Sequence, residues 1–168
     1  MFSPEELTQE MRLNWPEQKI VDWHPMHLQM IELNQFDAQN EQLFENYTNY
    51  LSSFVTKGYS FTAMQEKIYA MFGIWKLWDG VYEAWLIPSN DISRKAFRMH
   101  RASKLFFEYA ANKLEMKRLQ ITVCSRNIPA YKWAKVCYFE NEGILRKYGP
   151  QGDDYYMMSR DRDWETVI

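Results

Sequence analysis

Residues 118–143 read RLQITVCSRNIPAYKWAKVCYFENEG, and this stretch decides the fold. Residues 118–124 are apolar on both faces, which is typical of a strand in the middle of a sheet. Asn127 stands at a position that favours a helix N-cap, and the helix is predicted to end near Gly143. The apolar face of this helix consists of Ala130, Trp133, Ala134 and Cys137. A buried strand followed by an amphipathic helix is therefore the starting unit of the fold.

A three-stranded meander is predicted upstream of this unit. Residues 59–65 and 68–77 are rich in aromatic and β-branched residues and are joined by a short polar link, which favours a hairpin. Asp79 and Gly80 form the preferred dipeptide of a two-residue turn. Residues 81–87 should therefore pair antiparallel with the strand before them.

A basic helix is predicted between the meander and the strand-helix unit. Residues 88–91 (PSND) end the third strand of the meander, and helical periodicity begins at Ile92. The apolar stripe consists of Ala102, Leu105, Phe106, Tyr109 and Ala110. The opposite face carries Arg94, Lys95, Arg98, Arg101 and Lys104.

The two ends of the chain complete the pattern. Residues 1–18 are predicted to be an N-terminal arm with a short helix, and residues 19–23 a first strand. Helices are predicted from Pro25 and from Glu41 onward, the second ending at Gly58. Two strands should follow the last helix, over residues 144–149 and 154–159. Residues 161–168 form a polar tail.

This order of elements indicates one α+β domain over residues 19–160, built on a mostly antiparallel central sheet. The chain has 168 residues, which suits a single domain with a real core. Its net charge of -2 argues against a nucleic-acid partner, and no apolar run reaches the roughly 18 residues of a membrane span. Two cysteines and an acidic, polar start favour the cytoplasm. Aromatic residues are abundant, at 17%, whereas glycine occurs only six times.

The second half of the sequence resembles the GNAT superfamily of acyl-CoA-dependent N-acetyltransferases. In that family the fifth strand is followed by Asn, by Ala three residues later, by an aromatic pair, by Gly-Phe and by an acidic residue before Gly. The matching residues here are Asn127, Ala130, Trp133, Phe139, Glu142 and Gly143. The resemblance covers roughly residues 19–160 and implies a V-shaped splay between strands 4 and 5, with helices on both faces of the sheet.

Within the superfamily the sequence looks most similar to a divergent branch found as internal virion proteins of short-tailed phages. The shared features are the Asp79-Gly80 turn, the Trp85-Leu86 strand and a basic helix that begins after Ser and Asp residues. This branch would place the protein in the host cytoplasm or in the virion, with a virion or host protein as its partner.

The resemblance implies that acetyl-CoA is the co-substrate. Its pantetheine arm would lie along the fourth strand and its pyrophosphate at the start of the basic helix, where the helix dipole favours anions. The residues predicted to bind it are Trp85, Leu86, Ile87, Arg94, Lys95, Arg98, Ser103 and Asn127.

The resemblance also implies catalytic roles. Family members often use a glutamate on the fourth strand as the base that deprotonates the amine, and Glu83 is the only carboxylate in residues 81–87. A strand glutamate that is merely solvated is the alternative. The family's usual acid is a tyrosine where this chain has Ala134, so Tyr131 or Tyr138, one turn away on either side, would substitute. The thiolate can also leave without an acid.

One departure from the family pattern leaves two functions open. The family's pyrophosphate loop contains glycines, but this chain has none between Val81 and Glu142. Either Arg94, Lys95 and Arg98 hold the phosphates by charge-assisted contacts, or acyl-CoA does not bind there. The chain is therefore either an acetyltransferase acting on an unidentified small-molecule or protein amine, or a catalytically degenerate phage virion, assembly or host-interaction protein.

The other histidine, cysteine and tryptophan residues that could form sites are expected to be surface or core residues without a chemical role. His24 and His27 are expected to be surface histidines and not half of a metal site, since no Cys or carboxylate cluster has complementary spacing. Cys124 and Cys137 are expected to be buried free thiols. Three tryptophans near the Asp79-Gly80 turn are expected to pack in the core or against neighbouring strands, with a ligand or partner surface as the alternative; they are Trp75, Trp78 and Trp85.

Overall fold

The fold is built around one mixed β-sheet. The structure is a computed structural model that describes residues 1–13, 17–43, 49, 53 and 57–161, without the side chains of residues 40–43, 93 and 94. Seven strands lie in this sheet within the described residues. They are β1 (Lys19–Asp22), β2 (Gly58–Met64), β3 (Ile68–Trp78), β4 (Val81–Pro88), β5 (Arg118–Cys124), β6 (Glu140–Leu145) and β7 (Tyr155–Arg160). The helices are α1 (Pro4–Glu10), α2 (Met26–Met30), α3 (Gln35–Leu43), α4 (Ala96–Lys113) and α5 (Ile128–Val136), and a 3-10 helix (Asn90–Lys95) precedes α4.

The strand order is β1-β2-β3-β4-β5-β7-β6, and every neighbouring pair except β4 and β5 is antiparallel. The β4–β5 pair is parallel because α4, which connects the two strands, returns the chain to the end of the sheet at which β4 begins. The predicted α+β class and the mostly antiparallel sheet are confirmed. The meander is confirmed as well, and its last turn uses Gly80 with a φ of 78°, a conformation that glycine adopts without strain.

Strands β4 and β5 separate after a short paired segment. Their register runs only from Val81–Arg118 to Glu83–Gln120, although β4 continues to Pro88 and β5 to Cys124. Residues 84–87 therefore pair with β3 on one side and have no strand among the described residues on the other, whereas the Pro88 carbonyl accepts a hydrogen bond from Asn34 Nδ2. We call this opening the β4–β5 gap, and it is the splay that the sequence resemblance implied.

Helices cover both faces of the sheet. The main core joins one face to α1, α4 and α5, with Leu7, Phe106, Leu119 and Phe139 among its buried residues. A second core joins the opposite face to α2 and includes Leu28, Ile31, Met71 and Ile87. The cores are separated by a single sheet, so alternate residues of each central strand point to different helices.

The first residues of the chain belong to the main core. Phe2, Leu7 and Met11 are buried there, and Leu7 has no exposed surface. Thr8 Oγ1 accepts a hydrogen bond from the backbone N–H of Ile20 at 3.0 Å, which joins α1 to β1. The stretch expected to form an N-terminal arm therefore packs against the sheet.

The predicted end of the last helix is wrong. Helix α5 ends at Val136, and β6 begins at Glu140 and not at Ile144. Tyr138 adopts a φ of 68°, its N–H donates to the Lys135 carbonyl, and the N–H of Phe139 donates to the Ala134 carbonyl. This is a Schellman cap, which ends the helix without the glycine that normally signals it.

Two other predicted helices do not coincide with the helices of the described residues. The helix expected from Ile92 begins with the 3-10 segment Asn90–Lys95, and α-helical geometry starts at Ala96. The helix expected between Glu41 and Gly58 lies mostly outside the described residues. No helix in the part of the chain that the structure describes is long and apolar enough to cross a membrane.

Candidate functional site

Glu83 lies at the point where β4 and β5 part. It is paired with Gln120 at the last position of their shared register. Its neighbours Tyr82 and Ala84 belong to the main core, so strand alternation places Glu83 on the opposite face, beside Trp75 of β3. Gln120 Nε2 donates a hydrogen bond to Glu83 Oε2 at 3.0 Å.

Burial is the main influence on the ionisation of Glu83. It raises the pKa of the carboxyl above its ordinary value, and the hydrogen bond from Gln120 acts in the opposite direction. A half-buried carboxylate with a raised pKa is the kind of group that serves as a general base near neutral pH.

Tyr148 lies beside Glu83 on this face. It belongs to the loop between β6 and β7, and its ring packs against Tyr155 with 5.4 Å between ring centroids. Burial raises the pKa of Tyr148, and the negative charge of Glu83 raises it further, whereas a hydrogen bond with Thr122 lowers it. We call Glu83, Gln120, Thr122 and Tyr148 the Glu83 cluster. The sequence pattern does not point to Tyr148, because it predicts a strand over residues 144–149, whereas the structure places Tyr148 in a loop after β6 (Glu140–Leu145).

The two predicted tyrosine acids lie on the other side of the sheet. Tyr131 is in the first half of α5, near the open end of the gap, and its ring packs against Tyr156 at 5.2 Å. Tyr138 follows the end of α5, where Lys104 Nζ donates to its hydroxyl at 3.3 Å and Arg160 lies over its ring. Arg160 pairs with Leu119 at the start of β5, so Tyr138 is at the closed end of the gap.

A cavity of about 110 Å³ lies between α4 and the sheet. Five of the eight residues predicted to bind acetyl-CoA line it, namely Trp85, Leu86, Lys95, Arg98 and Ser103. The rest of its wall is mostly apolar and includes Ala70, Phe72, Met99 and Phe106. Trp133 Nε1 donates to Ser103 Oγ at 3.3 Å, which connects α5 to this wall.

Positive charge is concentrated where the cavity meets the start of α4. Lys95 Nζ donates to the Tyr69 hydroxyl at 2.6 Å and lies 4.0 Å from the centroid of that ring. Arg98 is exposed one turn further along the helix. The N-terminus of an 18-residue helix adds the positive end of its dipole. The arrangement can hold an anionic group without a glycine-rich loop.

The other three predicted cofactor residues are placed differently. Ile87 is buried in the second core. Asn127 caps α5, where its Oδ1 accepts a hydrogen bond from the N–H of Ala130 at 3.2 Å. Arg94 lies in the 3-10 helix, and its side chain is outside the described part of the structure.

The structure also places the two cysteines, His24 and His27, and the three tryptophans near the Asp79-Gly80 turn. Cys124 and Cys137 are buried free thiols, and burial raises the pKa of Cys137 to about 12. His27 Nδ1 lies 2.8 Å from Thr62 Oγ1, and neither histidine belongs to a group of metal-binding side chains among the described residues. Trp75 and Trp85 pack against the second core, whereas Trp78 is exposed.

The fold matches solved acetyltransferase structures at low sequence identity. No protein-family model and no curated protein sequence matches the chain. A GNAT-family acetyltransferase from Bacillus anthracis is 14% identical with a TM-score of 0.66, over 86% of this chain and 94% of that one. The ribosomal-protein-S5-alanine acetyltransferase from Vibrio fischeri is 15% identical with a TM-score of 0.66, over 92% of this chain and 98% of that one.

A third structure carries ligands. The microcin C7 self-immunity acetyltransferase MccE, in complex with acetyl-CoA and AMP, is 14% identical with a TM-score of 0.62, over 88% of this chain and 93% of that one. Together with the seven-stranded sheet and its β4–β5 gap, these matches establish that the chain has the GNAT fold.

Proposed function

We propose that this protein is an N-acetyltransferase that transfers the acetyl group of acetyl-CoA to an amine. The observation that carries the proposal is the position of Glu83, half-buried at the fork of the β4–β5 gap. The cavity with Lys95 and Arg98 lies on the opposite face of the same strands. Donor and acceptor would therefore approach the gap from different faces of the sheet.

The open edge of β4 suits the pantetheine arm. The backbone groups of residues 84–87 that face the gap can hydrogen-bond an extended amide chain as an added strand would. Lys95 and Arg98 would hold the phosphates by charge-assisted contacts at the end of the cavity. The complex of MccE with acetyl-CoA supports acetyl-CoA as the donor.

Glu83 would act as the base. Its Oε1 would take a proton from the ammonium form of the acceptor while Gln120 holds Oε2, and the neutral amine nitrogen would then attack the thioester carbonyl. Acetyl-CoA supplies the acetyl group and a thiolate leaving group. Tyr131, at the open end of the gap, is the candidate to protonate the thiolate, which can also leave without an acid. Tyr148 would contact the acceptor, which is a small-molecule or protein amine.

The second candidate is the non-catalytic role that the phage virion branch implied. The glycine-free entrance of α4 and the buried Ala134 at the usual tyrosine position favour it. The structural comparisons add no support for that branch. The cytoplasm, or the virion for a phage protein, remains the expected location on the sequence argument.

Calorimetric titration of acetyl-CoA into the purified protein tests the proposal. We expect saturable binding that weakens about tenfold or more when Lys95 and Arg98 are both changed to alanine, because each would lose a hydrogen bond to a charged group. Arg101→Ala is the matched control, since Arg101 is exposed on the same helix and does not line the cavity. Absence of binding at millimolar acetyl-CoA would overturn the enzymatic function in favour of the second candidate.

A further inference from the structure

A row of hydrogen bonds connects Glu83 to the exposed edge of the sheet. Arg118 Nη1 and Nη2 donate to the two carboxylate oxygens of Glu142 at 2.8 and 2.5 Å. Arg118 Nε donates to Gln120 Oε1 at 3.2 Å, and Gln120 Nε2 donates to Glu83 Oε2 at 3.0 Å. Four side chains from β4, β5 and β6 are therefore connected in sequence.

The chemistry of the arginine determines which way the amide of Gln120 faces. A guanidinium group has five N–H donors and no acceptor, so only the oxygen of the amide can face Arg118. The NH₂ group of Gln120 must then face Glu83. Glu142 holds the guanidinium by a bidentate contact, which is the geometry that fixes an arginine most firmly.

We propose that Gln120 is a positioning residue for Glu83, and that the Arg118–Glu142 ion pair keeps its amide in the donating orientation. The inference rests on the proposed function, in which Glu83 is the base. A donated N–H stabilises the charged carboxylate more than the neutral acid. Gln120 would thus keep Glu83 ionised in spite of its burial and would direct Oε1 toward the acceptor.

The other groups that face Glu83 do not replace this contact. Trp75, its register partner on β3, does not titrate. Tyr148, from the β6–β7 loop, is a neutral phenol whose pKa is raised. Within the described residues, burial and the hydrogen bond from Gln120 are the influences that shift the pKa of Glu83, and they act in opposite directions.

NMR titration of ¹³C-labelled glutamate in the ligand-free protein tests the inference, with the Glu83 signal assigned by Glu83→Gln. We expect the pKa of Glu83 to rise further in Gln120→Leu, because the carboxylate loses its donor. Arg118→Met should produce a smaller rise, since the amide of Gln120 is then free to rotate. Gln9→Leu, at an exposed position of α1, is the control and should leave the titration unchanged.

The pH profile of turnover provides a second measurement. Gln120→Leu should lower kcat roughly tenfold at the acid end, which corresponds to one hydrogen bond to a charged group, and leave it unchanged at the alkaline end. The KM for acetyl-CoA should not change. A merely structural role would lower kcat at every pH and would contradict the proposal.

The titration separates the inference from the proposed function. An unchanged pKa of Glu83 in a folded Gln120→Leu protein overturns the inference, whatever the activity. If Gln120→Leu does not fold, Arg118→Met decides in the same way, because it leaves Gln120 in place. Failure to bind acetyl-CoA overturns the proposed function alone, since the titration uses the ligand-free protein.

Discussion

Glu83 is the residue on which the proposed chemistry depends, because it is the carboxylate at the fork of the β4–β5 gap. Its pKa is raised by burial, whereas the carboxylates of Glu6 and Glu142 have pKa values lowered to about 2 by cationic partners. A carboxylate that is held ionised by a salt bridge is a poor base. Among these three, Glu83 alone has the environment of a proton acceptor near neutral pH.

Changing Glu83 to glutamine should therefore remove the base without removing volume. We expect kcat for acetyl transfer to fall by about 10²–10⁴-fold, the usual contribution of general base catalysis. Acetyl-CoA binding, measured by calorimetry, should be unchanged because Glu83 does not line the cavity. Glu66→Gln, at an exposed position, is the control. Unchanged turnover in Glu83→Gln would remove this residue from the mechanism.

Ala134 occupies the position where the family usually has a tyrosine, and in this protein that position is buried in the main core. It has no exposed surface, and its carbonyl accepts the hydrogen bond that closes the Schellman cap of α5. A tyrosine side chain there would have to displace the buried residues of the main core. A tyrosine acid, where the reaction uses one, must therefore come from another position such as Tyr131.

At the scale of single elements, α5 depends on its N-cap. Asn127 accepts a hydrogen bond from Ala130 N–H at the start of this helix. Asn127→Ala should lower the free energy of unfolding by about 1 kcal/mol, measured by urea denaturation. Asn127→Asp, which keeps an acceptor oxygen, should retain most of the stability. Equal losses in both variants would contradict the prediction that the side-chain oxygen of residue 127 stabilises the helix as its N-cap.

Helix α1 is fastened to α4 by an acid-sensitive contact. Lys113 Nζ lies 2.6 Å from both carboxylate oxygens of Glu6, and the Tyr109 hydroxyl also donates to Glu6. The hydrogen bond from Lys113, followed by that from Tyr109, lowers the pKa of Glu6 to about 2 from an ordinary value of 4.5.

A lowered pKa means that this contact stabilises the folded state above about pH 4.5 and is lost as the pH falls toward 2. Glu6→Gln should therefore reduce the difference in stability between pH 5 and pH 2, measured by denaturation at each pH. Glu10→Gln, on the exposed face of the same helix, should behave like the unchanged protein. An identical pH dependence in all three proteins would contradict the prediction.

At the scale of the whole molecule, one sheet separates two environments. The cationic, mostly apolar cavity lies on the α4 face, and the Glu83 cluster lies on the α2 face. The β4–β5 gap is where the two faces communicate. The chain has no glycine-rich loop before α4. A 3-10 helix leads into α4 instead, and Lys95 and Arg98 near its end supply positive charge to the cavity.

The integration of α1 into the main core predicts a global effect of a mutation near the start of the chain. Leu7 is fully buried, so Leu7→Ala should lower the free energy of unfolding by about 2–5 kcal/mol in urea denaturation. Glu10→Ala, in the same helix but exposed, should change it by less than about 0.5 kcal/mol. If Leu7→Ala lowered the free energy of unfolding as little as Glu10→Ala, the prediction would be wrong and α1 would contribute little to the stability of the domain.

Sequence by itself determined the elements whose signals are local. The Asp79-Gly80 turn, the strand over residues 118–124 and the Asn127 cap were predictable because each depends on backbone preferences within a few residues. The fold class followed from the order of these elements. The end of α5 was not predictable in this way, because Tyr138 takes the conformation that a glycine would normally signal.

Only the tertiary structure decided which side chains meet. Gln120 and Glu83 are 37 residues apart in the sequence, and Arg118 and Glu142 are 24 apart. Their contacts arise from the parallel pairing of β4 with β5 and from the return of β6 to the same sheet. The separation of Glu83 from Tyr138 has the same origin. A strand pattern shows that alternate residues face opposite sides, but packing against the helices decides what each side contains.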